Sequence, residues 1–372
     1  MIRILHTADL HLDSPFASLS VSESAARREK LRGVFSSMTA FARDEKLDLF
    51  IIAGDLFDAR FVTRDTMDLI RSEFEKIPDT YVFITPGNHD PYESGSVWER
   101  LELPENVCVF RSDMIKKVSL PEKNVDVYGF AFTSPAMRKS PLVGQRTADP
   151  ARINILAAHT QIDDPLSPYA PISRDQLAAF GADYAALGHV HDADRLWGEA
   201  GKCKWAYSGC PEGRSFDECG RKYALIATVE KTAGVAEVKV TKKEFSTRRY
   251  EKADVDVTGA AGAAEVRDAV KRALSDAGYD ENTALRLRLI GQTDRPVAFD
   301  GLREALGVGS LEIKDETLAI LNAGLDEDRT IRGEFYRAIK PRLESADERE
   351  REIAVRALKY ALFAMSGEDV PE

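Results

Sequence analysis

The chain has 372 residues, of which 44% are hydrophobic and 30% charged, and its net charge is −11 at pH 7. This length allows two or three domains, and the composition is that of a soluble globular protein rather than a disordered one. The acidic balance argues against a free-standing duplex-DNA binder, because such affinity comes largely from lysine and arginine side chains. No apolar run approaches the ~20 residues that span a bilayer, and the N-terminus lacks a signal-peptide hydrophobic region, so we expect a cytoplasmic protein that does not insert into membranes.

Short β-rich apolar runs alternate with helical stretches from residue 1 to about residue 245, which is the α/β pattern. The predicted strands are 3–7, 48–53, 81–85, 125–130, 153–158 and 184–187. Apolar residues at helical spacing predict helices over 22–45 and 63–76. After His191 the pattern changes to strands without helices, at 204–207, 223–229 and 235–245, so we expect a second sheet that closes the core.

The remaining third of the chain has its own pattern. Alternation at Val255 and Val257, an alanine-rich helix over 263–277 and period-two leucines over 285–289 predict a small α+β domain. The tail from Arg329 to Met365 is predicted to be helical, with Pro341 interrupting the helix. The predicted domains are therefore 1–248, 249–325 and 326–372.

Five polar motifs follow predicted strand ends, in this order along the chain: Asp9-Leu10-His11, Gly54-Asp55-Leu56-Phe57-Asp58, Gly87-Asn88-His89-Asp90, Ala158-His159-Thr160 and Gly188-His189-Val190-His191. Strand carboxyl ends lie at one edge of an α/β sheet, so side chains distant in sequence can converge there. The motifs contain five of the six histidines, a clustering that packing alone does not predict. Their carboxylate, imidazole and amide groups suit manganese, iron or zinc better than magnesium alone.

Parts of this pattern have simpler interpretations. A single Asp-x-His or Gly-Asn-His-Asp is more often a turn than a site, and the succession of five motifs is what indicates a joint metal centre. His6 lies inside the first strand pattern, so we expect it in the core or supporting the site rather than binding metal. The four cysteines form no CxxC pair, so buried free thiols are expected; a zinc site from Cys203, Cys210 and Cys219 is the alternative.

The motif set resembles the signature of the calcineurin-like metallophosphoesterase superfamily. The resemblance implies a four-layer α-β-β-α sandwich with a small α+β capping domain and C-terminal helices. It also implies two divalent metal ions, with Mn²⁺ expected first and Fe²⁺, Zn²⁺ or Mg²⁺ as alternatives. By the same resemblance, the first ion would be held by Asp9, His11, Asp55 and His191, and the second by Asp55, Asn88, His159 and His189. His89 would protonate the leaving oxygen, and Asp58 would orient it.

More specific cues point to a branch of that superfamily. The segments 4–13 and 53–58, and Tyr207-Ser208-Gly209 followed by Pro211-Glu212-Gly213-Arg214-Ser215, are similar to the DNA-repair exonucleases, namely the SbcD subunits and their YhaO-like relatives. This resemblance implies a 3′–5′ exonuclease or single-strand endonuclease that acts in double-strand break repair. It further implies an SbcC-like coiled-coil ABC ATPase as partner and a homodimer. The resemblance covers residues 1–245, and beyond them only the layout matches.

Further predictions concern contacts and alternatives. The basic pairs Arg27-Arg28, Lys242-Lys243 and Arg248-Arg249 are candidates for DNA contact, although such pairs are more often solvated surface. The tail helix could dock the ATPase through Ile353, Leu358, Leu362 and Met365, or pack these side chains on its own core.

Two other functions stay open. One is a phosphodiesterase or phosphatase for a small nucleotide or other non-DNA phosphoester. The other is a metal-free scaffold, against which the complete ligand set argues.

Overall fold

The computed structural model describes residues 1–192, 197–260, 262–293, 301–319 and 325–365. The chain divides into two compact units, Met1–Thr247 and Arg248–Glu372. The regions predicted as separate domains at 249–325 and 326–372 fall within the second unit, and their mutual boundary stays a prediction. In the described part of the chain, no helix combines the length and the apolar character that crossing a membrane requires.

Unit 1 is built on two six-stranded sheets. Its strands are β1 Ile2–Thr7, β2 Leu49–Ile52, β3 Tyr81–Ile84, β4 Val107–Val109, β5 Lys116–Leu120, β6 Val125–Gly129, β7 Ile153–His159, β8 Tyr184–Gly188, β9 Trp197–Ala200, β10 Cys203–Tyr207, β11 Tyr223–Thr232 and β12 Val235–Glu244. Its helices are α1 Val21–Asp44, α2 Arg64–Glu75, α3 Val97–Arg100 and α4 Arg174–Phe180. The first sheet has the order β12-β11-β1-β2-β3-β4, and the second has the order β5-β6-β7-β8-β10-β9.

The two sheets enclose one apolar layer, and helices cover their outer faces. Ile4 and Ile51 of the first sheet lie in the same buried cluster as Ile155 and Tyr184 of the second sheet. On the outer face of the first sheet, α1 and α2 bury their apolar stripes against β1 and β2. On the second sheet, α4 packs Phe180 into a separate cluster. This arrangement confirms the predicted α-β-β-α sandwich.

The late strands do not form the closing sheet that the sequence predicted. β11 pairs antiparallel with β1, with Ile2 opposite Val229, and β12 continues the first sheet beyond β11. The second sheet instead has β6, β7 and β8 at its centre, and β10 and β9 extend it. An apolar run marks a strand but does not specify which edge it pairs with, so that prediction was wrong. The short strands β4, β5 and β9 were not predicted.

Unit 2 contains a small sheet with helices. Its strands are β13 Arg249–Asp256, β14 Thr283–Ile290, β15 Gln292–Thr293, β16 Ser310–Asp315 and β17 Leu318–Ala319. Its helices are α5 Ala263–Leu274, α6 Leu302–Leu306, α7 Ile331–Leu343 and α8 Glu348–Met365. β13, β14 and β16 form a three-stranded parallel sheet. The alternating Val255, Val257, Leu285, Leu287 and Leu289 pack with Val266 of α5, as the period-two pattern predicts.

The tail forms two helices that pack on each other. Pro341 lies within the last turn of α7, so the break falls at residues 344–347 rather than at the proline. Leu358 and Leu362 of α8 are buried in one cluster with Ile339 of α7. These two leucines therefore do not form the exposed docking face that was one of two predictions for them, because α7 already covers them. Ile353 is 61% exposed and Met365 is partly buried.

Candidate metal centre

The polar motifs converge at the carboxyl ends of five parallel strands. Asp9 and His11 follow β1, Asp55 follows β2, and Asn88 follows β3. His159 ends β7, and His189 and His191 follow β8. Backbone hydrogen bonds tie these loops together, including one from Asp9 N to Gly54 O at 3.0 Å. Ligand atoms of Asp9, His11 and His191 lie within 4.8 Å of one another, as do those of Asp9, Asp55 and His159. Side chains from both sheets thus meet at one edge of the sandwich.

Unusual backbone conformations bring these ligands into place. Asp9, His11 and Asp55 have φ values of 54°, 47° and 51°, in the left-handed region that non-glycine residues rarely occupy. Such conformations persist only where the surrounding structure fixes them, and they cluster at functional sites. Gly87 leaves room for the Asp55 carboxylate, because a Cβ at this position would overlap it.

The Asp55 carboxylate lies between the two groups of ligands. Its Oδ1 accepts a hydrogen bond from the backbone N–H of His89 at 2.9 Å. Its Oδ2 lies 3.6 Å from Nε2 of His11 and 3.4 Å from Nε2 of His159. Because one oxygen faces a histidine of each group, Asp55 would be placed to act as a ligand to both of two ions.

The arrangement around His159 fits a cation. Nδ1 of His159 donates to the carbonyl oxygen of Ala53 at 2.9 Å, so Nε2 presents its lone pair to the site. That Nε2 lies 3.0 Å from Oδ1 of Asn88, which is also an acceptor. The buried Oδ1 of Asp9 has no hydrogen-bond partner in the part of the chain that the structure describes. Buried acceptors that face one another are costly unless a cation lies among them.

The side chains of His11 and His191 also face each other through ring nitrogens. Nε2 of His11 lies 3.2 Å from Nε2 of His191. Nδ1 of His11 lies 3.0 Å from Oδ1 of Asp58, and Nδ1 of His191 lies 2.8 Å from Oε1 of Glu218. Each carboxylate fixes the ring so that Nε2 points into the site, which is how carboxylates support metal-binding histidines. The donor set therefore fits two divalent ions.

The position of His189 is defined by ring contacts and by a backbone hydrogen bond. Its ring centroid lies 5.2 Å from that of His159 and 4.5 Å from that of Tyr169. Its backbone N–H donates to Oδ2 of Asp9 at 3.0 Å. The residue is therefore at the centre, and its role as a ligand stays a prediction.

His89 lies beside the ligands and is accessible. Its side chain is 52% exposed, and its Nδ1 lies 3.1 Å from Oδ1 of Asp58. The hydrogen bond with Asp58 raises the pKa of His89. Burial acts to raise the pKa of Asp58, but hydrogen bonds from His11 and His89 outweigh it and lower that pKa. Asp58 thus contacts both His11 and His89, whereas the sequence predicted contact with His89 alone.

Arg214 and Glu218 were given no role on sequence grounds. Arg214 NH2 donates to Oε1 of Glu218 at 2.7 Å and lies 3.1 Å from Nδ1 of His191. Burial acts to raise the pKa of Glu218, but hydrogen bonds from His191 and Arg214 lower it overall. Arg214 stood in the segment used only to choose a branch of the superfamily, and Glu218 follows it by four residues, just beyond that segment.

The predicted DNA-contact pairs differ in their surroundings. Arg27 is buried and donates to the carbonyl oxygen of Gly213 at 2.8 Å, so it holds a loop instead of facing solvent, and its prediction as a DNA contact was wrong. Arg28 is partly exposed. Lys242 and Lys243 are exposed on β12.

The third pair lies at the start of unit 2. Arg248 NH2 donates to Oγ of Ser310 at 2.7 Å, and the Arg249 guanidinium lies 5.3 Å from the centroid of the Tyr279 ring. Both arginines are partly buried and take part in packing within unit 2. Their prediction as DNA contacts is untested.

His6 occupies the core, as expected. It is fully buried, with Nδ1 2.9 Å from the Tyr184 hydroxyl and Nε2 3.1 Å from the carbonyl oxygen of Leu187. All four cysteines are free thiols. The groups of metal-ligating side chains found within the described ranges contain no cysteine.

Comparison with known proteins identifies the class to which this site belongs. Residues 2–193 match the profile of the calcineurin-like phosphoesterase family, and the chain belongs to that family. This family uses a dinuclear metal site, and the residues gathered around Asp55 are candidate ligands for one.

Individual relatives are more distant. The chain is 30% identical over 271 residues to the uncharacterized metallophosphoesterase YhaO of Bacillus subtilis, which covers 70% of this chain and 64% of that protein. It is 29% identical over 223 residues to the DNA double-strand break repair protein Mre11 of Saccharolobus solfataricus, covering 57% and 55% of the two chains. It is 23% identical over 226 residues to the SbcD component of the nuclease SbcCD of Staphylococcus epidermidis, covering 51% and 57%. The matched regions span less than two thirds of each relative.

Proposed function

We propose that this chain is a two-metal DNA nuclease, a 3′–5′ exonuclease or single-strand endonuclease that acts in double-strand break repair with a coiled-coil ABC ATPase. The proposal rests on the position of Oδ2 of Asp55, which lies 3.6 Å from Nε2 of His11 and 3.4 Å from Nε2 of His159. The choice of DNA rests on the similarity to Mre11 and to the SbcD component of the nuclease SbcCD.

In the proposal, some residues hold the metal ions and another donates a proton. When bound, a pair of divalent ions, with Mn²⁺ proposed as the physiological ion, would lower the pKa of a water molecule and offset the negative charge of a phosphodiester. In the proposal, the first ion is held by Asp9, His11, Asp55 and His191, and the second by Asp55, Asn88, His159 and His189. His89 is free to protonate the leaving oxygen, because its neighbour Asn88 supplies the ligand and Asp58 favours the imidazolium.

The proposal includes partners. Arg28, Lys242 and Lys243 are the proposed phosphate contacts of unit 1 among the predicted basic pairs. A chain with a net charge of −11 offers little general attraction for DNA, so the ATPase partner would supply most of the phosphate contacts. The proposed assembly also contains a second copy of this chain.

The test is hydrolysis by the purified chain, with and without the ATPase. We expect Mn²⁺-dependent cleavage of a labelled single-stranded oligonucleotide, loss of cleavage with EDTA, and no cleavage by the Asp55→Asn variant. Hydrolysis of bis(4-nitrophenyl) phosphate without any cleavage of DNA, even with the ATPase present, would reject the nuclease proposal. That result would favour the small-phosphoester alternative.

A further inference from the structure

A groove runs along the open edge of the sandwich in unit 1. It has a volume of 520 Å³ and lies between β9 and β10 of the second sheet and β12 of the first. Tryptophan, tyrosine and lysine side chains contribute much of its lining, namely Trp197, Lys204, Trp205, Tyr207, Lys239 and Lys242. None of these residues supplies a proposed metal ligand.

Two tryptophans, Trp197 and Trp205, line the groove. Trp197 is 72% exposed, which is unusual for the largest apolar side chain. Trp205 also lines the groove, but it is buried to all but 8%. Trp197 is therefore the tryptophan whose ring is available to a ligand in the groove.

The charge of the groove is opposite to that of the whole chain. Three lysines, Lys204, Lys239 and Lys242, line it together with one acidic residue, Glu199, in a chain whose net charge is −11. Lys239 pairs with Glu237 at 2.9 Å, and Lys204 pairs with Glu199 at 3.7 Å. All four side chains are exposed, so these ion pairs contribute little. A local cationic surface on an acidic protein favours a ligand with repeated negative charge.

A smaller cavity adjoins the groove on the side of the metal centre. This cavity shares Tyr207, Leu225 and Lys242 with the groove and extends to the proposed metal ligand His191. The amino group of Lys242 lies 4.9 Å from the centroid of the Tyr223 ring, another lining residue of the smaller cavity. A ligand in the groove would therefore lie beside the site of hydrolysis.

We infer that this groove binds single-stranded nucleic acid and holds it beside the metal centre. Proteins hold single strands without sequence preference through aromatic rings on which bases stack and through lysines that contact the backbone, and Trp197 with the lining lysines offers both. A peptide strand would find apolar contacts in the same groove, but it would have no need of the cationic lining. The inference rests on the proposed nuclease function and adds a surface that holds the substrate.

Binding is measured with the full-length chain in EDTA, so that cleavage does not occur. The probe is a fluorescein-labelled oligothymidine of about 20 nucleotides, and the readouts are anisotropy and quenching of tryptophan fluorescence. We expect Trp197→Ala to raise Kd about tenfold and to remove much of the quenching, because stacking on one aromatic ring supports a change of this size. Lys239→Glu is the second variant, and its Kd should also rise and depend less steeply on salt concentration.

Matched controls lie away from the groove. Leu166→Ala replaces another exposed apolar residue of unit 1, and Lys30→Glu reverses an exposed lysine on α1. Both should bind the oligonucleotide as the unaltered chain does. All variants should hydrolyse bis(4-nitrophenyl) phosphate with Mn²⁺ at an unchanged rate, since this small diester does not extend into the groove.

The outcomes separate the two proposals. If the chain cleaves DNA but Trp197→Ala and Lys239→Glu bind oligothymidine as tightly as the controls, the groove inference is wrong and the nuclease proposal stands. If the unaltered chain neither binds nor cleaves single-stranded DNA with the ATPase present but hydrolyses the small diester, the nuclease proposal itself fails. Selective weakening by the two groove variants supports the inference.

Discussion

Oε1 of Glu218 lies 2.8 Å from Nδ1 of His191, and this contact fixes the ring whose Nε2 points into the metal centre. Carboxylates in this position orient metal-binding histidines and raise their basicity, so their loss weakens metal binding about 10- to 100-fold. We therefore expect Glu218→Ala to raise the Kd for Mn²⁺ by about that factor, as measured by isothermal titration calorimetry. Glu105→Ala, on an exposed loop, is the control. An unchanged Kd in Glu218→Ala would show that His191 needs no such support.

Asp55→Asn should affect both metal positions together. Its Oδ2 is the atom that faces one histidine from each group, and an amide oxygen is a weaker bridge than a carboxylate oxygen. We expect the variant to lose hydrolysis and to bind fewer metal ions, as measured by elemental analysis after dialysis. Two ions retained per chain would contradict the bridging role of Asp55.

His89→Ala should separate catalysis from metal binding. The side chain is half exposed and contacts Asp58, so we expect both metals to remain while turnover on DNA falls by about 10² to 10⁴. A 4-nitrophenolate leaving group needs little protonation, so hydrolysis of its diester should fall much less. Equal losses on the two substrates would indicate that His89 has a structural role and not that of the acid.

The sequence predicted the metal centre better than it predicted the strand order. Every proposed ligand follows a parallel strand, and parallel strand ends meet at one edge whichever strands are neighbours, so Asp9 and His159 could be placed at one edge. Pairing of β11 with β1 depends on which edge is free, and an apolar run does not encode this. Arg27 and Glu218 show the same limit, because both act through partners that the chain brings near only by folding.

His6 should make stability depend on pH. Burial lowers its pKa from 6.5 to about 3, so the unfolded chain binds the proton more tightly than the folded chain. The contribution of neutral His6 is therefore present above pH 6.5 and is lost as the pH falls from 6.5 toward 3. Between about pH 7.5 and about pH 5, the unaltered chain should lose about 2 kcal/mol more stability than His6→Gln.

This comparison is made by urea unfolding in EDTA. Taking the difference between the two chains cancels the contributions of other buried histidines, such as His11 and His189, whose pKa values are also lowered by burial. An equal loss of stability in both chains would show that His6 is protonated in the folded state at the lower pH.

Substitutions on the buried and exposed faces of α8 should affect stability and docking separately. Ile353 and Tyr360 are 61% and 45% exposed and are spaced by seven residues, so they lie on one face of the helix, whereas Leu358 is buried on another. Leu358→Ala should lower the stability of unit 2 by about 2 to 5 kcal/mol. Ile353→Asp should leave thermal unfolding unchanged, because the side chain faces solvent.

If α8 docks the ATPase, the exposed face is the one that remains available for contact. Ile353→Asp should then weaken capture of the chain by the immobilised ATPase, because it places a charge where an apolar contact would form. Val235→Asp makes the same change at a residue of unit 1 that is 75% exposed, and its binding should be unaltered. Equal capture of both variants and the unaltered chain would rule out docking through Ile353, since the partner would then have to bind elsewhere.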